Sequence, residues 1–494
     1  MTPYTLSIDQ GTTSTRAIIF DAQGRIINSA QRPLKQLYPA DGWVEHDPEE
    51  IWQACIEVVQ QALKNASLQA GDISAIGIAN QRETTIVWHR KTGKALHNAI
   101  VWQDRRTTSH CEELKTAGHE PLIQDKTGLL LDPYFSATKI AWILDHCDGA
   151  RTLAERGELA FGTIDSFLLW RLSKGKSHKT DATNASRTSL FNIHHQQWDD
   201  ELLALFNIPK SLLPSVEDCA ADFGHSDAAL FGTPIAIAAM AGDQQAALIG
   251  QACTQAGMMK ATYGTGCFIM LNTGPRVLHS TQRLLSTVAY RLNGETSYAL
   301  EGSIFMAGAA VQWLRDGLSI IDKAEQTEAL ARQANPAHRV YMVPAFTGLG
   351  APYWDPAARG ALLGLTRDSG VEEIAAATLQ AVAYQSKDLI DAMQQDADIS
   401  VQSLRVDGAM VTNQYLMQFS SDLLNISIQP SAMHEATAVG VAYLAGLQVG
   451  IYDSLASLAT RWRSQQTIEP NMSVALRQQL YTGWLEAVGR IRTH

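Results

Sequence analysis

Three glycine-centred segments carry residue types suited to holding a phosphate chain. The first is Asp9-Gln10-Gly11-Thr12-Thr13-Ser14-Thr15-Arg16. Glycine lets the backbone turn tightly, so that successive N–H groups face an anion. Thr12, Thr13 and Ser14 add hydroxyl donors, and Arg16 adds a positive charge. Asp9, closing an apolar run, is placed to hold a magnesium ion through water. The second segment is Thr262-Tyr263-Gly264-Thr265-Gly266. The third runs from Arg405 to Gln418, with a turn at Asp407-Gly408 and a helix expected from about Asn413. A helix N-terminus beside a glycine turn is a seat for a nucleotide. Taken singly, each segment reads more readily as a solvated turn or an ordinary strand–helix connection. Two such turns, one in each half of the chain, can clamp a polyphosphate from both sides, and the pairing favours the phosphate reading. Two other nucleotide fingerprints are missing: the sequence has no GxxxxGK[ST], and Gly264-Thr265-Gly266 lacks the third glycine of a dinucleotide motif.

The elements that must position these turns are legible around them. Tyr4 to Asp9 reads as a strand, Gln10 to Arg16 as a turn, and Ala17 to Phe20 as a second strand. Arg25 to Ala30 is a third extended segment. A helix follows, with Asp47 as N-cap, Pro48 in its first position and Glu50 completing a capping-box-like pattern. Ile51, Cys55, Val59 and Leu63 lay one apolar stripe along it. Ala75 to Ile78 then reads as a buried strand. The opening of the second half repeats the theme: Met259 to Tyr263 extended, a glycine turn, and Cys267 to Leu271 apolar again. The expected organisation is two related halves, residues 1–250 and 251–494, joined without a Gly/Ser or Pro-rich linker.

Bulk properties narrow the function classes. A chain of 494 residues exceeds a single hydrophobic core, so two domains are expected. A formal net charge of -11 repels phosphate backbones and speaks against a nucleic-acid partner. The six cysteines show no CxxC or metal-type spacing and read as free thiols in a reducing compartment. The N-terminus reads without a signal peptide, and no apolar run reaches the roughly 18 residues of a membrane span. The expected location is the cytoplasm, with no membrane insertion.

In combination, DQGTTSTR (Asp9 to Arg16), YGTGCF (Tyr263 to Phe268) and DGAMVTNQYLMQ (Asp407 to Gln418) resemble the FGGY family of carbohydrate kinases. The resemblance runs over essentially the whole length. It includes NQRETTIVW (Asn80 to Trp88), VWQDRR (Val101 to Arg106), LDPYFSATK (Leu131 to Lys139), TNASRT (Thr183 to Thr188), AGDQQAAL (Ala241 to Leu248), WLRD (Trp313 to Asp316) and VPAFTGLGAPYWDPAARG (Val343 to Gly360). Several of these are specific to the branch that phosphorylates glycerol. The resemblance implies an α/β actin-like ATPase fold: two ribonuclease-H-like domains with the active site in the cleft between them. It implies ATP and magnesium as cofactors, glycerol as acceptor, and a homodimer or homotetramer.

Residue roles follow from the matched motifs. Arg82, Glu83, Tyr134, Asp243 and Gln244 are expected to bind the acceptor hydroxyls, with Trp102 and Phe268 packed on its carbons. Carboxylates accept from hydroxyls, while guanidinium and amide groups donate to them, so the set suits a triol. Asp243 is the expected catalytic base, because a carboxylate in reach of an alcohol can take its proton as the bond to phosphorus forms. Thr12, Thr13, Ser14, Arg16, Thr265, Gly308, Gln312, Ala409 and Asn413 are expected around the nucleotide, and Asp9 at the metal. There are two departures. Ala409 stands where the family has a second glycine after the late Asp-Gly, which would cost nucleotide affinity if that position required a positive φ. The segment Asp227 to Pro234 is short and lacks the arginine of a bisphosphate-binding loop, which speaks against inhibition by a sugar bisphosphate. Two other readings stay open: a kinase of another polyol or ketose, such as erythritol or xylulose, and a non-catalytic actin-like scaffold.

Overall fold

The structure, a computed structural model, describes residues 3–355, 357–433 and 435–493. Its opening is an antiparallel meander of β1 (Tyr4–Gln10), β2 (Ser14–Phe20) and β3 (Ile26–Pro33). The turn expected over Gln10 to Arg16 is tighter than that. Asp9 still pairs with Arg16 and Gln10 with Thr15, and the Gly11 N–H donates to the Ser14 carbonyl at 2.9 Å. Only residues 11–13 lie outside the strands, because a hairpin with continuous pairing needs no longer loop.

Helix α1 (Pro48–Ala66) starts at Asp47, whose carboxylate accepts the Glu49 N–H at 2.8 Å. Ile51, Cys55, Val59 and Leu63 are buried, as their four-residue spacing requires. The capping box expected from Glu50 is replaced. Its carboxylate accepts the backbone N–H of Lys35 at 3.3 Å instead, because the chain leaving β3 passes beside the helix start.

β4 (Ile73–Asn80) runs parallel to β1. β5 (Ala220–His225) and β6 (Ala236–Gly242) complete the sheet in the order β5-β6-β4-β1-β2-β3, with β6 parallel to β4. Helix α2 (Asp243–Gly250) leaves β6 directly. The segment before β6 is compact: Asp227 caps the single turn Ala228–Phe231.

The second sheet is built from β7 (Met259–Tyr263), β8 (Cys267–Gly274), β9 (Leu285–Leu292), β10 (Glu295–Ile304), β11 (Ser403–Asp407) and β12 (Ser427–Pro430). Its order is β9-β10-β8-β7-β11-β12. Without β5 and β9, which sit on opposite edges, the two sheets share one pattern. Three antiparallel strands (β3-β2-β1 and β10-β8-β7) are followed by two parallel ones (β4-β6 and β11-β12). That is the ribonuclease-H-like order, and it occurs twice.

Four more helices complete the frame: α3 (Val371–Ala397), α4 (Gln414–Leu424), α5 (Ala436–Gln448) and α6 (Val474–Ile491). No helix among the described residues is long and apolar enough to cross a membrane. α5 comes from the second half but lies against the first sheet, where the Val441 carbonyl faces Gly77. It also crosses α2 so closely that a Cβ on Gly440 would stand 1.8 Å from the Ala246 carbonyl oxygen, and one on Gly250 2.0 Å from that of Ala436. Only hydrogen side chains allow this approach. The crossing joins the two halves beneath the cleft.

Candidate functional site in the cleft

In the first sheet β1, β4 and β6 run parallel and end together. Gln10 pairs with Asn80, and Asn80 with Gly242. Their carboxyl ends therefore deliver Asp9 to Thr12, Arg82 and Glu83, and Asp243 and Gln244 to one rim, where open α/β sheets bind ligands. In the second sheet β7 and β11 end at the Gly264–Gly266 and Gly408 turns. Both expected phosphate turns are strand ends.

Arg82, Tyr134, Asp243, Trp102 and Phe268 converge. Arg82 Nε lies 3.3 Å from Asp243 Oδ1, and an Arg82 Nη2 donates to the Tyr134 hydroxyl at 3.4 Å. The Trp102 ring stands 5.6 Å from Tyr134 and 6.2 Å from Phe268, both edge-on, and the Arg82 guanidinium sits 5.8 Å from the Phe268 centroid. The result is three aromatic rings gathered beside a guanidinium and a carboxylate. Burial pushes the Tyr134 phenol well above its ordinary range, so it stays a neutral donor and acceptor.

Two members of the expected acceptor set are occupied by protein. Glu83 is buried and its carboxylate accepts from Arg187 Nε at 2.6 Å. Its φ of +59 is rare for a side chain with a Cβ, and costs on the order of 1 kcal/mol. The Ser136 and Thr85 hydroxyls hold it there, each donating to the Glu83 carbonyl at 3.0 Å. Gln244 turns its amide along the rim: Lys260 Nζ donates to its Oε1 at 2.5 Å, and its Nε2 donates to Asp243 Oδ2 at 3.3 Å.

Three charged residues at the site lie outside the set expected from the sequence: Glu301, Arg187 and Lys260. Glu301, on β10, accepts both terminal nitrogens of Arg82 at 2.5 and 3.0 Å and Arg187 Nη2 at 2.9 Å. Burial opposes its charge, but the two guanidiniums win and hold its carboxyl down at about 2. Arg187 lies in the TNASRT motif, and Lys260 holds Gln244 from the second sheet. The signal for Glu301 and Lys260 is a lone charge inside an apolar strand, since a buried charge must have a partner.

Around the nucleotide turns the expected residues divide. The Thr12 hydroxyl accepts from Trp102 Nε1 at 2.9 Å, which ties the first hairpin turn to the aromatic cluster. Thr13 is exposed at the tip of its turn, and Ser14 accepts from Gln31 Nε2 at 2.9 Å at the start of β2. Arg16 pairs at 2.8 Å with Glu435, from the second half of the chain just before α5. In the second half Thr265 is exposed, and its carbonyl accepts from Ala307 and Ala309 at 3.1 and 2.9 Å. Gly308 packs on the same turn, donating to the Gly264 carbonyl at 3.0 Å, and a Cβ there would reach that oxygen at 2.7 Å. Gln312, one turn further on, is exposed. Asn413 caps α4, accepting the Leu416 N–H at 3.0 Å. The positive φ of the late turn falls on Gly408, at +97, where a Cβ would stand 2.3 Å from the Tyr263 carbonyl oxygen. Ala409 is outside that region and exposed, so it takes the place of a glycine without backbone strain.

Asp9 is half-buried at the head of the cleft. Desolvation, with Asp243 and Glu435 nearby, pushes its carboxyl up to about 7 against the pull of Arg16. A cation beside it would relieve that charge. Among the described residues no group of three or more His, Cys, Asp or Glu side chains forms a metal cage. The Asp9 carboxylate, crowded by Asp243 and Glu435, fits an ion that takes its remaining ligands from phosphate and water, as magnesium does in nucleotide sites.

Comparison with known proteins bears on the same architecture. A glycerol kinase of Ectopseudomonas mendocina is 60% identical over 493 residues, covering 100% of both chains, and glycerol kinase 1 of Pseudomonas aeruginosa matches to the same extent. The crystal structure of Plasmodium falciparum glycerol kinase with ADP superposes with a TM-score of 0.94 at 37% identity, covering 99% of this chain and 98% of that one. A gluconate kinase from Lactobacillus acidophilus shares the fold at a TM-score of 0.90 and 22% identity, with the same coverage. Residues 4–250 match the N-terminal domain of the FGGY carbohydrate kinases and residues 259–449 their C-terminal domain. With both domains matched in order across two sheets of one pattern, the chain belongs to the FGGY family of carbohydrate kinases.

Proposed function

We propose that the protein transfers the γ-phosphate of ATP to glycerol, giving sn-glycerol 3-phosphate and ADP. The observation that carries this reading is the cluster of Trp102, Tyr134 and Phe268 around Arg82 and Asp243, tied to the Thr12 turn. Aromatic faces cover a three-carbon chain, and the charged pair orders its hydroxyls. The full-length glycerol kinase relatives support the same acceptor.

Asp243 takes the proton of the attacking hydroxyl as the new O–P bond forms and the bond to the β-phosphate oxygen breaks. Its carboxylate is aimed by Arg82 on one side and by Gln244, held by Lys260, on the other. Thr12 and Thr13 from the first half, with Thr265 and Gly308 from the second, flank the phosphates. Ala409 and Asn413 border the nucleoside side. Asp9 would hold magnesium through water, and the ion would supply positive charge against the phosphates. Assembly as a homodimer or homotetramer and residence in the cytoplasm belong to the same reading.

The test is ADP formation from ATP and magnesium with glycerol, erythritol, xylulose and gluconate as acceptors. Glycerol with the highest kcat/KM supports the reading. Preference for a larger acceptor overturns the substrate while leaving the family in place, and no stimulation by any of them favours a non-catalytic role.

A further inference from the structure

Beside the aromatic cluster four buried charges form a closed, neutral ring. Arg82 gives Nη1 and Nη2 to Glu301 at 2.5 and 3.0 Å, and Arg187 gives Nη2 to Glu301 at 2.9 Å. Arg187 Nε reaches Glu83 at 2.6 Å, and Glu83 closes the ring 3.9 Å from Arg82 Nε. All four side chains are 2% exposed or less. Three come from the first half. Glu301 alone in this ring comes from the second sheet, on β10.

A guanidinium is planar and has five N–H donors in fixed directions. Once Glu301 grips both terminal nitrogens of Arg82, the rotation of the plane is set. The other donors go to protein as well: Nε lies 3.3 Å from Asp243, Nη2 reaches the Tyr134 hydroxyl at 3.4 Å and Nη1 the Gln245 side-chain oxygen at 3.4 Å. Buried ion arrays of this kind are generally no more stabilising than apolar residues of the same volume. Orientation, rather than stability, is what the ring supplies.

We propose that Glu301 is a positioning residue for the acceptor, acting through Arg82. It fixes the plane of Arg82, and through it the Asp243 carboxylate and Tyr134 hydroxyl that face the acceptor, and makes acceptor affinity depend on the docking of the second sheet against the first. The inference rests on the polyol-kinase reading above, but not on glycerol being the polyol.

The experiment compares Glu301→Gln with the double variant Glu301→Gln/Arg187→Gln. KM for the best wild-type acceptor, ADP affinity by calorimetry and melting temperature are measured for each. The single change leaves a buried guanidinium uncompensated and lowers the melting temperature. The double change removes one charge of each sign and recovers most of it. In both, acceptor KM rises at least tenfold while ADP affinity stays within twofold. Acceptor KM that returns to the wild-type value as stability recovers in the double variant overturns the proposal, since Glu301 would then be structural only. ADP affinity falling in step with acceptor affinity also overturns it. A wild-type preference for another polyol removes glycerol but leaves this comparison readable with that polyol. A wild type that phosphorylates no acceptor overturns both readings.

Discussion

Arg82 and Asp243 meet at 3.3 Å across the ends of β4 and β6, one closed to solvent and the other open to it: their side chains are 2% and 30% exposed. The buried partner aims the carboxylate, and the exposed one is free to meet a substrate. Replacing Asp243 by Asn keeps the size and removes the proton acceptor. The expected result is a fall in kcat of about 10²- to 10⁴-fold, the usual contribution of a positioned base. A coupled ADP assay reads it, and a melting curve close to wild type separates lost chemistry from lost fold.

Trp102 links the two proposed ligand sites. Its ring belongs to the aromatic cluster and its indole N–H donates to Thr12 at 2.9 Å. Trp102→Phe retains an aromatic face and deletes that donor. A neutral hydrogen bond of this kind is worth about 0.5–1.5 kcal/mol. KM for ATP is therefore expected to rise roughly two- to tenfold. Trp102→Ala, which also removes the ring, is expected to raise KM for the acceptor as well. Steady-state kinetics with each substrate varied distinguishes the two.

The glycine crossing of α2 and α5 predicts a contrast between two Gly→Ala changes in helices. At Gly440 the new Cβ would stand 1.8 Å from the Ala246 carbonyl oxygen, backbone that cannot swing aside. Gly440→Ala is expected to cost at least about 1–3 kcal/mol, the range for overpacking. At Gly489, exposed on α6, a Cβ meets nothing within 4 Å. Gly489→Ala is expected to stabilise by about 0.5–1 kcal/mol through helix propensity. Urea unfolding of both variants checks the sign of each.

Stability should depend on pH through Asp388, on α3. Burial pushes its carboxyl up to about 6, against hydrogen bonds from Tyr481, Trp484 and Tyr353 at 2.6, 2.8 and 3.0 Å. The folded protein holds this proton more tightly than the unfolded chain. The contribution is full below about pH 4 and is lost as pH rises through 6, flattening above. A shift of about two units corresponds to roughly 3 kcal/mol. Asp388→Asn is expected to flatten that part of the stability profile between pH 4 and 7. An unchanged slope in denaturant titrations across that range would rule Asp388 out as its source.

Much of the frame was legible because local rules act on neighbouring residues. The apolar stripe from Ile51 to Leu63, the Asp47 cap, the two strand–glycine–strand openings and the helix beginning at Asn413 all follow from spacing, capping and turn chemistry. The nearest miss there, Glu50, shows the limit: a carboxylate three residues from a cap will take another backbone N–H that passes closer. Ala409 raised a concern that the backbone resolves, since the strained φ belongs to Gly408.

By itself the sequence determined the family and pointed to five of the groups that come together: Arg82, Tyr134, Asp243, Trp102 and Phe268. Long motifs with particular residue types at particular offsets carry that information directly. Only the tertiary structure decided what each charged group faces. Glu301 follows Arg82 by more than two hundred positions, and nothing in the spacing of either announces the other. The pairing arises because β10 of one sheet packs behind the strand ends of the other. Burial there leaves a carboxylate no solvent, so it must take the guanidiniums that the fold brings to it.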